Sequence, residues 1–131
     1  MKRIAVFSLA GSLIFLASCI YGIVPLSFNP PADRLGTVWY EEESGWDGIW
    51  TRRGNSNVFD AIWTAGNAAG TAVLTITIQD DRVTVIRGNS SNGVNYTYTG
   101  TLSHFGSRVS GAYTDGKNMM PWKATITNRW R

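Results

Sequence analysis

The sequence is poor in the side chains that most often carry catalysis or bind metals. Its 131 residues include one cysteine, Cys19, and one histidine, His104. A single cysteine cannot form a disulfide within the chain, and a metal site would need carboxylates around one imidazole. A nucleophilic triad would depend on the same His104, which lies in a predicted turn. We therefore expect a protein that is not an enzyme and that carries no metal and no cofactor.

The glycines and the charges give no signal for phosphate or nucleic acid. The 14 glycines form neither a Gly-x-Gly-x-x-Gly nor a Walker sequence, so no phosphate-binding loop is indicated. The formal net charge of +3 includes Lys2 and Arg3. The remaining chain is almost neutral, and Arg52 and Arg53 are its only basic pair. We therefore expect no nucleic acid among the partners.

An export signal is the clearest motif that the sequence does contain. Two basic residues after Met1 precede an apolar run over residues 4–17, and small residues stand before the cysteine. The run closes on Leu16-Ala17-Ser18-Cys19. In this order the three features resemble the signal and lipobox of bacterial lipoproteins.

The resemblance implies a signal peptide over residues 1–18 and a Cys19 that carries palmitate or a similar acyl chain and anchors the protein to a membrane. Ile20 follows the cysteine, and in lipoproteins of two-membrane bacteria the absence of aspartate there goes with export to the outer membrane. We therefore expect a cell-envelope protein, anchored in the outer membrane and facing the periplasm. The alternative is a transmembrane anchor over residues 4–24, which is about long enough to span a bilayer.

The rest of the chain divides into a tether and one small domain. Residues 19–35 contain three of the four prolines and show no hydrophobic period, which is typical of a linker. Residues 36–131 contain all six tryptophans. A domain of this size needs such large side chains to build a sufficient core.

The domain shows the period of β-strands. Apolar and polar residues alternate along segments such as 74–78, 83–85 and 122–127, and turn sequences separate them. Strand starts recur about every twelve residues, the spacing of an antiparallel meander of seven or eight strands. Residues 58–64 fit either a strand or one helical turn. Because closure of the sheet removes its edges, we predict an all-β, up-and-down barrel rather than an open sandwich.

Two short features bear on how such a barrel closes. Gly48-Ile49-Trp50 lies on an early predicted strand, and Arg129 lies near the end of the last one. Together they resemble the Gly-x-Trp sequence and closing arginine of the calycin group, the lipocalins and their avidin-like relatives. The resemblance implies that the tryptophan plugs the closed end of the barrel and that the arginine packs across it. Trp39 and Trp46 remain alternatives for the plugging tryptophan.

Two polar segments admit both a structural and a functional interpretation. In a strand Arg52 and Arg53 face opposite sides, so one of them can point into the barrel, where it needs an anionic partner such as Asp60. The pair is then either structural or aimed at a carboxylate or carbonyl group of a ligand. Of the three glutamates at 41–43, at most two share a face. They form either a charged rim or part of a carboxylate pair of the kind that hydrolyses glycosides.

The sequence therefore predicts a membrane-tethered barrel that binds a small apolar or aromatic ligand in its interior. The residues expected to bind this ligand are Arg53, Trp63, Tyr96, Tyr98, Tyr113 and Trp122, with some of the five aromatic residues lining the interior. An eight-stranded barrel is only just wide enough for its own side chains, so the tryptophans can also fill it completely.

The alternative function is an interaction module of the cell envelope, for instance an inhibitor of a lysozyme-type hydrolase. Ser110-Gly111-Ala112-Tyr113 resembles a segment of small bacterial barrel lipoproteins that inhibit lysozyme. The contact surface of such a module would be the loop over residues 115–121, where Met119 and Met120 have no obvious place in the core. An accessory subunit of an envelope complex is a third interpretation.

Overall fold

The computed structural model describes residues 34–103 and 105–128. The predicted signal peptide, Cys19, most of the predicted tether, His104 and Arg129 lie outside these described residues. No helix in the described ranges is long and apolar enough to cross a membrane.

The described chain forms an all-β fold of eight antiparallel strands. Their bounds are β1 (Val38–Glu43), β2 (Trp46–Arg52), β3 (Val58–Ala65), β4 (Ala68–Gln79), β5 (Arg82–Gly88), β6 (Thr97–Leu102), β7 (Arg108–Thr114) and β8 (Met119–Thr127). Each strand pairs with the next and β8 pairs with β1, so the sheet closes into an up-and-down barrel. The predicted fold is confirmed, and the segment that fitted either a strand or a helical turn is strand β3.

The turns define two ends of the barrel. The connections that follow β1, β3, β5 and β7 lie at the upper end. Those that follow β2, β4 and β6 lie at the lower end, together with the residues just before β1. The longest connection, residues 89–96 between β5 and β6, belongs to the upper end.

Alternation along each strand decides which side chains enter the barrel. In β4, Leu74 and Ile76 are buried whereas Thr75 and Thr77 are exposed. Successive side chains of a strand face opposite sides of the sheet, so every second residue points into the interior. Threonine on the outer face suits the pleated, half-buried surface of a strand.

The lower half of the interior is apolar. Trp39 and Trp50 are fully buried, and their rings stack with centroids 5.7 Å apart. Around them lie the buried residues Phe59, Leu74, Ile76, Val83, Leu102, Val109 and Ile126. This half therefore supplies an ordinary hydrophobic core.

The tryptophans considered for closing the barrel occupy three different positions. Trp39 Nε1 donates to the Leu35 carbonyl at 2.7 Å, and Leu35, at the end of the predicted tether, is itself buried. Trp50 pairs with Trp39 in the strand register but also contacts the aromatic residues above it. Trp46 is partly buried near the upper end. Of the three tryptophans, Trp39 is therefore the one that binds the residues just before β1, at the lower end of the barrel.

Candidate functional site

The upper half of the interior contains three buried ionisable side chains. Glu41 and Glu43 point inward from β1 because they lie two and four residues after the inward Trp39. Arg87 points inward from β5, two residues after the buried Val85. The exposed fractions of Glu41, Glu43 and Arg87 are 1%, 6% and 6%. Charged side chains are almost never buried to this extent unless they are paired.

Glu43 and Arg87 are joined through the hydroxyl of Tyr98. This hydroxyl donates to the Glu43 carboxylate, with both carboxylate oxygens at 3.1 Å, and accepts from Arg87 Nη1 at 3.2 Å. Arg87 Nη1 lies 3.6 Å from Glu43 Oε1, an ion-pair distance that is too long for a direct hydrogen bond. Tyr98 therefore completes the ion pair.

Glu41 is held by a tryptophan across the neighbouring strand. Trp63 Nε1 donates to Glu41 Oε2 at 2.7 Å. Gly48 lies between the two residues in the strand register. A Cβ atom at Gly48 would lie 2.5 Å from Glu41 Oε2 and 2.8 Å from Trp63 Nε1. The glycine of the Gly-x-Trp sequence therefore makes room for this hydrogen bond.

Two buried polar atoms have no hydrogen-bond partner within the described part of the chain. They are Glu41 Oε1 and Trp50 Nε1. Native proteins rarely keep such atoms, because an unsatisfied buried group costs about 1–3 kcal/mol. Glu41 Oε1 belongs to the polar group described above, and the ring of Trp50 lies next to that of Trp63, with centroids 6.0 Å apart.

Burial changes the acidity of both glutamates. Desolvation raises the pKa of Glu41 to about 9, and the charge of Glu43 adds to this, whereas the hydrogen bond from Trp63 and the charge of Arg87 lower it. Burial also raises the pKa of Glu43, against the hydrogen bond from Tyr98 and the charge of Arg87. Glu41 therefore keeps its proton at neutral pH. The glutamate that pairs with Arg87 is Glu43, 3.6 Å from Nη1.

Aromatic rings enclose these polar groups. The central guanidinium carbon of Arg87 lies 4.0 Å from the ring centroid of Trp63 and 5.1 Å from that of Tyr96, both within the range of cation–π attraction. Tyr98 stacks on Tyr113 with centroids 5.2 Å apart. The guanidinium is thus covered by ring faces as well as paired with a carboxylate.

The upper rim holds Arg87 in this position. Ser90 Oγ accepts from Arg87 Nε at 3.2 Å and from Nη2 at 3.0 Å, and donates to Asn92 Oδ1 at 2.7 Å. Ser91 ties the same connection to β4 through hydrogen bonds with the backbone of Thr71. The β5–β6 connection is therefore attached both to Arg87 and to a neighbouring strand.

Five of the six predicted ligand-binding residues lie together in this region. We call them the aromatic cluster: Trp63, Tyr96, Tyr98, Tyr113 and Trp122. Four of them are buried and Tyr96 is partly buried. The described protein is thus a small closed β-barrel with a buried aromatic cluster and a buried ionic group beside it.

The sixth residue, Arg53, is exposed and does not lie in the interior. β2 ends at Arg52, so Arg53 falls in the turn at the lower end. Its exposed guanidinium forms a bidentate ion pair with Asp60, in which Nε donates to Oδ2 at 2.9 Å and Nη2 donates to Oδ1 at 2.6 Å. Arg52 donates to backbone carbonyls of neighbouring turn residues. The guanidinium inside the barrel belongs to Arg87.

Sequence reasoning placed the glutamates at a rim or in a catalytic pair and did not single out Arg87. The alternation of inward and outward residues along β1 and β5 does indicate the positions of these three side chains. Glu41 and Glu43 share the parity of the buried Trp39, and Arg87 shares that of Val85.

The exterior carries a second, less enclosed surface. Tyr40, Ile49 and Ile62 are direct cross-strand neighbours on β1, β2 and β3 and are 49%, 50% and 55% exposed. An open groove of about 900 Å³ crosses the outer faces of β2, β1, β8, β7 and β6 beside them. Of the two methionines expected on the surface, Met119 is 73% exposed, but Met120 packs against the core because it lies two residues before the buried Trp122, on the inward side of β8.

Within residues 34–103 and 105–128, no group of three or more histidine, cysteine, aspartate or glutamate side chains is arranged to hold a metal ion. No protein-family model matches the sequence, and no curated protein matches it either.

Proposed function

We propose that this protein is a lipid-anchored β-barrel of the cell envelope that binds a small ligand with an apolar or aromatic part at the upper end of its interior. One observation carries the proposal: Glu41, Glu43 and Arg87 are buried beside the aromatic cluster. The N-terminal resemblance to lipoproteins supports the anchor, because two or more acyl chains hold a protein stably on a membrane.

Folding alone gives no reason for the three ionisable groups. Taking an ion out of water costs several kcal/mol even after relaxation, and buried ion pairs can often be replaced by packed apolar residues without loss of stability. Ionisable groups with shifted pKa values among aromatic side chains are typical of binding sites. The unpaired Glu41 Oε1 adds a polar atom that a ligand can satisfy.

Binding fits the site better than catalysis does. Tyr98, Glu43 and Arg87 satisfy one another through hydrogen bonds and charge, so none of them is poised as a free nucleophile or base. An eight-stranded barrel can hold one small ligand when its interior side chains leave or make room.

Titration of the full-length protein in nonionic detergent micelles tests the proposal. We expect small aromatic compounds such as indole to give a saturable heat of binding in this titration, because the aromatic cluster offers them ring faces. Tyr98→Phe removes the hydroxyl between Glu43 and Arg87 and should weaken binding by about two- to tenfold, the effect of one hydrogen bond. Thr99→Val, an exposed neighbour on the same strand, is the matched control and should not weaken it. Equal losses in the two variants, or no saturable heat of binding, would contradict the proposal.

A second candidate function is the binding of an envelope protein on the exterior, such as a lysozyme-type hydrolase. The row of Tyr40, Ile49 and Ile62 favours it, because half-exposed apolar side chains that adjoin one another mark interaction surfaces. The full-length protein would then inhibit lysozyme in a cell-wall lysis assay. Ile49→Ser with Ile62→Ser should abolish inhibition, whereas Thr75→Ser on the outer face of β4 should not. Absence of inhibition by the unchanged protein would remove this candidate.

A further inference from the structure

We propose that the ligand of the upper site is an organic cation with a guanidinium or alkylammonium group, and that the Arg87 guanidinium occupies the place which this group takes. The inference rests on the proposed function and adds the chemical class of the ligand.

The surroundings of Arg87 are those of a cation site. The guanidinium carbon lies 4.0 Å above the face of Trp63 and 5.1 Å from that of Tyr96, and a carboxylate oxygen of Glu43 lies 3.6 Å from Nη1. Ring faces attract cations through their quadrupole, and cages of aromatic rings recognise ammonium ligands in this way. The hydroxyl of Tyr98 adds an acceptor for an N–H group. A ligand cation would find the same faces and acceptors.

The site also has more hydrogen-bonding capacity than Arg87 uses. Arg87 pairs with Glu43, whereas Glu41 accepts from Trp63 through Oε2 only. Glu41 Oε1 is buried without a hydrogen-bond partner among the described residues. A ligand that places a polar atom against Glu41 Oε1, as well as its cation beside Glu43, can therefore satisfy both carboxyl groups.

Arg87 can leave this position without unpairing a strand. It is the last residue before Gly88 at the end of β5, and its guanidinium is held by Ser90 and Tyr98. Rotation of this long side chain toward the rim would uncover Trp63 and Glu43. An internal group that competes for a site lowers the apparent affinity by the fraction of molecules in which the site is free. The Tyr98 hydroxyl serves Arg87 and the ligand alike, whereas, of these two, Ser90 holds only Arg87. Weakening the hold of Ser90 on Arg87 should therefore strengthen ligand binding.

Calorimetric titration of the full-length protein in nonionic detergent tests this, with methylguanidinium and tetramethylammonium as probes and indole as the neutral comparison. Ser90→Ala removes two hydrogen bonds from Arg87 and should tighten cation binding by about two- to tenfold. Ser91→Ala is the matched control. It loosens the same connection from β4 but does not touch Arg87, so its affinity should stay within about twofold of the unchanged protein.

Removal of the internal cation provides the second test. Arg87→Met keeps a long side chain and should bind methylguanidinium about tenfold or more tightly than the unchanged protein. Adding Glu43→Gln to this variant should cancel the gain, because the carboxylate that pairs with the cation is lost. Circular dichroism checks that each variant retains its strands. Ser90 and Ser91 lie in the connection between β5 and β6, outside the strands, so their substitution should affect folding least.

The outcomes separate this inference from the proposed function. Binding of indole without saturable binding of either cation would overturn the cation assignment and leave the proposed function standing. Equal tightening by Ser90→Ala and Ser91→Ala would show that the connection, not Arg87, limits access, and would overturn the role of Arg87. Failure of all probes would remove the proposed function together with the inference.

Discussion

Replacing Glu41 by glutamine is expected to stabilise the protein at neutral and alkaline pH and to flatten the pH dependence of its folding. Glu41 is 1% exposed, and burial raises its pKa to about 9. Glutamine has nearly the same shape and keeps an oxygen that can accept from Trp63 Nε1, but it does not ionise. The substitution therefore removes the titration and preserves the packing.

The raised pKa makes folding less favourable as the pH rises. In the unfolded chain a glutamate ionises around its ordinary value of 4.5, whereas Glu41 in the barrel keeps its proton up to about 9. Between these values the folded state binds one more proton, so the free energy of unfolding falls by about 1.4 kcal/mol per pH unit. The contribution of Glu41 is fully present below the unfolded value and is lost as the pH rises toward the folded value. From about pH 5 to about pH 8 the loss is about 4 kcal/mol.

The groups around Glu41 change the size of this effect but not its sign. Glu43 and Asp47 raise the pKa of Glu41 by their charge, whereas Arg87 and the hydrogen bond from Trp63 lower it. The pKa of Glu43 is raised as well, so Glu43 contributes a slope in the same direction. The Glu41→Gln protein should therefore keep a shallower decline of stability with pH.

Urea unfolding followed by tryptophan fluorescence measures the difference. At about pH 5 the variant and the unchanged protein should agree within about 1 kcal/mol, and at about pH 8 the variant should be more stable by about 4 kcal/mol. Glu42→Gln is the control, because it removes an exposed carboxylate on the outer face of the same strand, beside Lys123. Identical slopes for Glu41→Gln and the unchanged protein would refute the reasoning.

Three further substitutions test the fold and the anchor. Gly48→Ala should destabilise the protein by about 1–3 kcal/mol, because the new Cβ would collide with Glu41 Oε2 and Trp63 Nε1. Gly88→Ala is its control and should change the urea midpoint little, because no atom lies within 4 Å of a Cβ there. Trp50→Ala should cost about 3–5 kcal/mol in the same assay, and a loss below about 1 kcal/mol would contradict its burial. Cys19→Ser should leave the protein uncleaved or unacylated by mass spectrometry; a variant that still reaches the mature mass and partitions with membranes would disprove the lipobox.

The barrel was predictable because its strands are locally consistent. Leu74 and Ile76 alternate with threonines, and this period of two residues is that of a strand and not of a helix. Turn residues follow at a regular spacing. The aromatic cluster followed from the same reasoning, since Tyr98 and Trp122 lie on inward positions of such strands. Burial of these large rings is favoured in any closed barrel of this size.

The ionic group was not predicted because two rules conflict at those positions. Polarity places charged residues outside, whereas alternation places Glu41, Glu43 and Arg87 inside. Closure of the sheet decides in favour of alternation, because a strand cannot turn one residue outward without a bulge. The residues that stabilise one another there, Glu43, Arg87 and Tyr98, lie on β1, β5 and β6, and no local sequence pattern predicts that these strands bring them together. Arg53 was misplaced for a related reason, since alternation stops where β2 ends at Arg52.

The expected behaviour of Glu41→Gln bears directly on why the barrel keeps a glutamate there. At neutral pH the raised pKa predicts that the carboxyl group makes the fold less stable than an isosteric amide would, and the hydrogen bond from Trp63 does not require a charge. The lower half of the interior, around Trp39 and Trp50, shows that this barrel can be filled with apolar side chains. Residues that lower stability in a well-packed fold are expected at sites where binding depends on them. If Glu41→Gln gains stability and loses affinity for methylguanidinium, the binding site lies at this residue. A gain in stability without a loss of affinity would leave the buried acid without a role in binding.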